Sequence, residues 1–317
     1  MVTQLRPPTR SLQLVAADGT VLGATVVEPR RPRGTVVIHG ATAVPHGYYQ
    51  AFAEYLGARG LRVLAYDYRG VGASRPPSLR GFDATMTQWA RLDAAAAHAW
   101  ARELGDDVVV VGHSFGGQLI GLLDDVRDAR GAVLVGAQLG WYRHWPRAQA
   151  VRHALLWYGA VPILTAATGY LPGRAGLGVD LPAGVAREWA RWCTQPGYLI
   201  GSHPDAAARF ARWDRPTLFY SFTDDDFAPP AAVDALLARL VGAPLEHRRI
   251  APYQLHLDAI GHFGFFRPRA AGLWTAAARH LEAALAGDLD DARPAAPVAA
   301  PWITDAEIAA DLAHGRG

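Results

Sequence analysis

Apolar residues along this chain keep two rhythms, one of period two or unbroken, the other close to 3.6. Leu12–Ala16 and Val21–Val27 alternate around Asp18-Gly19, which predicts an opening antiparallel hairpin. Gly34–His39, Leu61–Tyr66, Val108–Val111, Ala132–Val135, Pro216–Phe222 and Glu246–Ile250 are short runs, mostly apolar, that read as strands. Between them the spacing turns helical. Phe52, Tyr55 and Leu56 share one face of a segment from Tyr48 to Arg59 that stops at Gly60. Trp89, Leu92, Asp93, Ala96 and Trp100 do the same from Met86 to Leu104. Further helices are expected over Phe115–Leu123, Pro230–Leu240 and Ala270–Ala286. Strands alternating with helices predict a mostly parallel, twisted sheet with helices on both faces.

The alternation breaks between residues 138 and 213. This stretch holds Trp141, Trp145, Trp157, Trp189, Trp192 and Trp213, with Pro and Gly punctuation and no clear strand. It predicts a helical lid inserted over the sheet's carboxyl edge. The core then divides into 1–137 and 214–286, and 287–317 form a Pro/Ala-rich arm. That arm ends in a short amphipathic segment that Thr304-Asp305 would cap.

Composition narrows the possible chemistry. The chain has 317 residues, 50% hydrophobic and 19% charged, enough for one large α/β domain with an insertion. Its 31 basic residues are all arginine. Without lysine there is no Schiff-base or pyridoxal-phosphate attachment and no phosphate-loop lysine. A net charge of +2 with scattered arginines gives no footprint for nucleic acid. No run approaches the ~20 apolar residues of a membrane span. The N-terminal MVTQLRPPTR lacks an apolar export segment, and a single cysteine, Cys193, suits a reducing compartment, so a cytoplasmic location is expected. Cys193 itself reads as a buried packing residue.

The candidate chemistry centres on VVVVGHSFGGQ, residues 108–118. A β-branched run, G-H-S-F-G and a small-residue helical start place Ser114 at the tip of a strand–turn–helix elbow, where a base and an acyl carbon can both reach its hydroxyl. A serine needs a histidine base, and the base needs a carboxylate to orient it. In a parallel sheet these groups sit beyond the carboxyl ends of strands. Asp224-Asp225-Asp226 follows the strand ending at Phe222, and His262 stands in IGHFGFF before the last helix, so the chain order is Ser, Asp, His. His256, in a run with strand-like alternation, is the competing base and reads as structural. The aspartate triplet has no neighbouring histidine that would make it a metal site, so neither metal nor cofactor is expected. The backbone N–H of Phe115 should be one oxyanion donor. Trp141 and Tyr142, nearest in sequence to a strand end, are the expected walls of the substrate pocket.

Residues 11–138 and 214–285 resemble the α/β-hydrolase superfamily, through YDYRGVGAS (66–74), VGHSFGGQ (111–118), FTDDDFAPP (222–230) and IGHFGFF (260–266). Within it they are most similar to the serine-aminopeptidase-like (S33-type) branch of predicted hydrolases. The resemblance implies an α/β-hydrolase fold and selects Asp225, four positions before Pro229, as the acid. Asp224 and Asp226 would then be solvent-facing or capping neighbours. The second oxyanion donor would follow His39-Gly40, which implicates Ala41, with Thr42 its neighbour. Here the chain carries Gly40-Ala41-Thr42-Ala43 in place of the H-G-G-G of many lipases. His39 and His113 read as packing residues, and Asp67 and Arg69 as ties for the Gly70/Gly72 loop rather than parts of a dinucleotide site. The expected function is hydrolysis of a carboxylic ester or similar small acyl compound through an acyl-serine. An acyltransferase or thioesterase-like offloading enzyme on the same residues is the nearest alternative. A fold kept for non-catalytic binding of a small molecule or partner is a second, and a lyase or cyclase without covalent chemistry a third.

Overall fold

The protein is described from a computed structural model, which covers residues 7–175 and 178–289. An eight-stranded sheet runs through it in the order β1 (Thr9–Val15), β2 (Val21–Val27), β4 (Arg62–Tyr66), β3 (Thr35–His39), β5 (Val108–His113), β6 (Ala132–Val135), β9 (Thr217–Phe222), β10 (Leu245–Ile250). β1–β2 and β2–β4 pair antiparallel; every later pair is parallel. The opening hairpin and all the expected strands are present.

Alternation within the central strands explains why both faces are covered. Val108 and Val110 face a cluster with Trp89, Phe115, Leu134 and Phe219. Val109 and Val111 face the opposite cluster, with Phe52, Val133, Tyr220, Trp274 and Leu281. A strand buried on both faces carries an unbroken apolar run, and the four valines before the elbow are that run.

The helices match the 3.6-period segments with local departures. Gln50–Ala58 and Trp274–Ala286 lie within the expected spans. The segment from Met86 is opened by a Thr85/Gln88 capping box, but Trp89–Ala94 winds as a π-turn before the α-helix resumes at Ala95–Glu103. The helix after the elbow is shorter than expected, Phe115–Gln118 followed by a 3-10 turn.

Between β6 and β9 the chain is chiefly helical, with Arg147–Leu155, Val161–Thr168, Ala183–Thr194 and Asp205–Arg212. It also holds a small antiparallel pair, β7 (Tyr170–Leu171) with β8 (Leu181–Pro182), which the sequence pattern does not reveal because each strand has two residues. Trp192 and Trp213 are fully buried. Cys193 is buried as expected, its thiol pushed well above the usual range by desolvation. The arm beyond residue 289, including Thr304-Asp305, lies outside the described residues.

Candidate active site

The elbow forms because β5 must reverse into a helix with no room for a loop. Ser114 takes φ 52°, ψ −112°, a conformation costly for a residue with a side chain and sustained only by surrounding contacts. Those contacts are the Ser114 N–H donating to Val135 O at 2.9 Å and Gly117 N–H donating to Ser114 O at 3.0 Å. Gly116 is required by close approach, since a Cβ there would stand 2.0 Å from the His39 carbonyl oxygen. Ser114 is only 8% exposed, and its exposed part lines a cavity of about 120 Å³.

His262 lines the same cavity. Its Nδ1 lies 2.7 Å from Oδ2 of Asp225. A carboxylate accepts, so Nδ1 donates to it, and in the neutral ring Nε2 is the nitrogen that keeps its lone pair. Asp225 is buried, and its Oδ1 accepts from the Phe227 and Ala228 amides at 2.8 and 3.0 Å. Gly136 backs onto the pair at φ 58°; a Cβ would lie 3.2 Å from His262 Nδ1 and 3.3 Å from Asp225 Oδ2. Aromatic rings at 5.1–5.2 Å from Phe227, His113 and Phe263 enclose the imidazole.

The three aspartates separate: Asp225 is the one beside His262, and Asp224 is not a solvent-facing neighbour. Its Oδ2 accepts from the Ile260 and Gly261 amides at 2.8 and 3.0 Å, which ties the acid loop to the loop bearing His262. Asp226 is exposed, and its carbonyl accepts from Trp145 Nε1. His256 is exposed, with φ 54°, at the end of a 3-10 turn; the strand-like alternation around it forms no strand. Among the described residues no group of three or more His, Cys, Asp or Glu is placed to hold a metal.

The expected second oxyanion donor is corrected. The Ala41 N–H donates to Tyr49 Oη at 2.8 Å inside the core, so it is spent. Tyr49 Oη lies 2.9 Å from His113 Nδ1, and His113 Nε2 lies 2.9 Å from the His262 carbonyl oxygen. The polarity of this chain follows from its ends. A carbonyl only accepts, so Nε2 of His113 donates, and burial holds the ring well below its usual pKa and therefore neutral. Nδ1 must then accept from the Tyr49 hydroxyl, whose oxygen accepts from Ala41. One buried relay thus couples the loop after β3 to the loop of His262. His113 bonds as well as packs. His39 faces away from the cavity, bonding Tyr66 Oη at 2.8 Å and His98 at 3.0 Å.

Thr42 lines the cavity beside Ala41, Ala43 and Val44, in a turn closed by Val44 N–H to Ala41 O with Ala43 at φ 63°. The remaining wall is Gln138, Trp189, Phe227 and Phe263. Trp141 and Tyr142 are not part of it; their rings pack on each other and, for Trp141, on His144. Phe227 and Phe263 could have been found from their places within two residues of Asp225 and next to His262. Trp189 carried no local signal that set it apart from the other tryptophans.

The YDYRGVGAS loop is tied to its neighbours through Asp67 and Arg69. Asp67 accepts from the His46 and Ala73 amides at 2.6 and 2.7 Å, and Arg69 is paired with Asp93 and Asp18.

Residues 35–271 match a family described as Alpha/beta hydrolase family. No curated protein matches the chain. Among solved structures, the alpha/beta hydrolase GrgF from Penicillium sp. sh18 superposes with a TM-score of 0.60 at 14% identity, over 88% of this chain and 99% of its own. The Pyrococcus furiosus esterase PF2001 gives 0.57 at 15% identity, over 87% and 91%. A thioesterase domain from the curacin biosynthetic pathway gives 0.53 at 17%, over 85% and 98%. At these identities the likeness is one of fold.

Proposed function

From the premise that the chain belongs to the alpha/beta hydrolase family, we propose that it hydrolyses carboxylic esters or related acyl compounds through an acyl-Ser114 intermediate. The observation that carries this is the serine held at a strained elbow on the same small cavity as a histidine whose far nitrogen is fixed by a buried carboxylate. In the first half-reaction Ser114 Oγ bonds to the acyl carbon while its proton passes to His262 Nε2. The bond to the leaving group then breaks, and His262 returns that proton to the departing atom. Water repeats the sequence: it attacks the acyl carbon, gives a proton to His262, and Ser114 recovers it as the carboxylic acid departs. Asp225 holds the imidazole and its tautomer throughout. The Phe115 N–H, first in its helix and without an intrahelical acceptor, and the Thr42 N–H, in place of Ala41, would stabilise the oxyanion.

The helical stretch 138–213 acts as a lid, since it contributes Trp189 to the cavity wall. No described helix is long and apolar enough to cross a membrane. The single buried cysteine favours a cytoplasmic setting. A thioester is the alternative acyl donor, given the thioesterase domain among the structural neighbours. Hydrolysis of p-nitrophenyl butyrate tests the reading. Wild type should turn it over, and Ser114→Ala should retain the fold with a loss of about 10⁴-fold or more in kcat. Equal turnover by the variant would remove Ser114 from the chemistry.

A further inference from the structure

We propose that the substrate is an ester or thioester joining a short acyl group to a bulky, uncharged, ring-bearing alcohol or thiol, whose ring occupies a second cavity beside the first. The inference rests on the acyl-serine reading and adds the substrate's two-part shape.

The cavity at Ser114 holds about 120 Å³, somewhat less than the ~150 Å³ of a protein cavity that takes one benzene. That fits a carbonyl and a few carbons, and too little for a complete ligand of ordinary size. A second cavity of about 430 Å³ lies against it, in the range of small-molecule sites at ~300–1,000 Å³. Phe227 is the residue, among those described, that lines both. The rest of the partition is an aromatic pair: Trp157 of the outer cavity packs on Trp189 of the inner one, 4.9 Å between centroids. The Trp145 bond to the Asp226 carbonyl fixes the outer cavity to the acid loop.

The direction of the substrate follows from proton return. The leaving atom must lie within reach of His262 Nε2 to be protonated. Phe227 packs 5.2 Å from that ring and is 43% exposed, so the group attached to the leaving atom runs across Phe227 into the outer cavity. The acyl portion stays in the inner cavity, between the Ala41–Val44 turn and Phe263.

The outer lining sets the character of the ring. Trp145, Trp157 and Phe227 offer aromatic faces, and Leu156, Val161 and Leu171 aliphatic ones. Its charged groups are one cation, Arg152, and one anion, Asp226, which give no net pull on a charged ligand. Burial lowers the pKa of His153 and so favours its neutral form. Gln149 completes the polar lining. Stacking and apolar contact are therefore the main recognition.

Two substrate series test this. Ethyl, benzyl and 2-naphthylmethyl acetates enlarge the alcohol at similar leaving-group reactivity; p-nitrophenyl acetate, butyrate and octanoate lengthen the acyl chain. Expected are a rise in kcat/KM of about tenfold or more along the first series, from ring burial, and a fall of about tenfold from butyrate to octanoate. Trp157→Ala should remove the rise, and Trp157→Phe should keep most of it. Phe227→Ala, which opens the partition, should raise the octanoate-to-butyrate ratio. Faster turnover of octanoate, with no gain from larger alcohols, would overturn the inference. If that turnover is still abolished by Ser114→Ala, the acyl-serine reading survives. Failure of wild type to cleave any ester in either series would refute both.

Discussion

Asp225 spends each carboxylate oxygen on positioning, Oδ1 on two backbone amides and Oδ2 on His262 Nδ1 at 2.7 Å. Asp225→Asn keeps the volume but can turn an N–H toward Nδ1, forcing the other tautomer and consuming the lone pair that Nε2 needs. Steady-state kinetics should show kcat lowered by about 10³–10⁴-fold with the fold intact, as the loss of tautomer control predicts. An undiminished kcat would assign another acid. Tyr49 acts one step back. Tyr49→Phe leaves the Ala41 amide and His113 Nδ1 buried without partners, which costs about 1–3 kcal/mol of stability in a denaturant titration. It should also lower kcat more than it changes KM, because the loop that carries Thr42 loses its tether. These residues mark the limit of what was legible in the sequence. Ser114 and Asp225 closely follow strands and His262 sits in the loop between β10 and the last helix, in a fixed chain order that motifs report. The capture of the Ala41 amide by Tyr49 depends on how the helix Gln50–Ala58 packs, and no spacing rule encodes it. Nearness in sequence to β6 likewise misdirected the pocket walls to Trp141 and Tyr142, because the acid and base loops themselves supply Phe227 and Phe263.

Elements were read well where a single period decides them. The valine run before the elbow, the opening hairpin and the parallel strands all follow from alternation or unbroken burial. The π-turn at Trp89–Ala94 did not, since its cause is tertiary. Asp93 in that turn is fully buried and accepts from Arg69 through both the amide and Nε at 2.8 Å, while Trp89 Nε1 donates to the Arg69 carbonyl. The other side of the Arg69 guanidinium meets Asp18 of the opening hairpin. One arginine therefore ties the β1–β2 turn, the loop after β4 and the π-turn together. Asp93→Ala strands a buried cation against a single exposed partner, and a loss of about 3–5 kcal/mol in equilibrium unfolding is expected. A loss under about 1 kcal/mol would show that the network adds little to stability.

For the whole molecule, buried histidines set the response to acid. His39 and His113 have pKa values well below 6.5 because burial excludes the charged ring. The unfolded chain protonates them and the folded one does not, so their contribution is present above pH ~6.5 and lost as pH falls. His247, lowered to about 4 by burial, adds to that loss. Asp93 opposes it: burial raises its pKa to about 6, so its contribution is present below 3.8 and disappears as pH rises through 6. Three histidines against one aspartate leave a net loss of stability between pH 7 and pH 5, read as a lower denaturant midpoint at the acid end. A higher midpoint at pH 5 would reverse the assignment of neutral histidines. The sheet, the elbow and the two cavities converge on one claim, that Ser114 is an activated nucleophile under the control of His262 and Asp225. Reaction of the purified protein with a fluorophosphonate, followed by peptide mapping, tests it most directly. Ser114 should carry the label, at a rate that falls by orders of magnitude in His262→Ala; an unlabelled Ser114 in folded wild-type protein would contradict it.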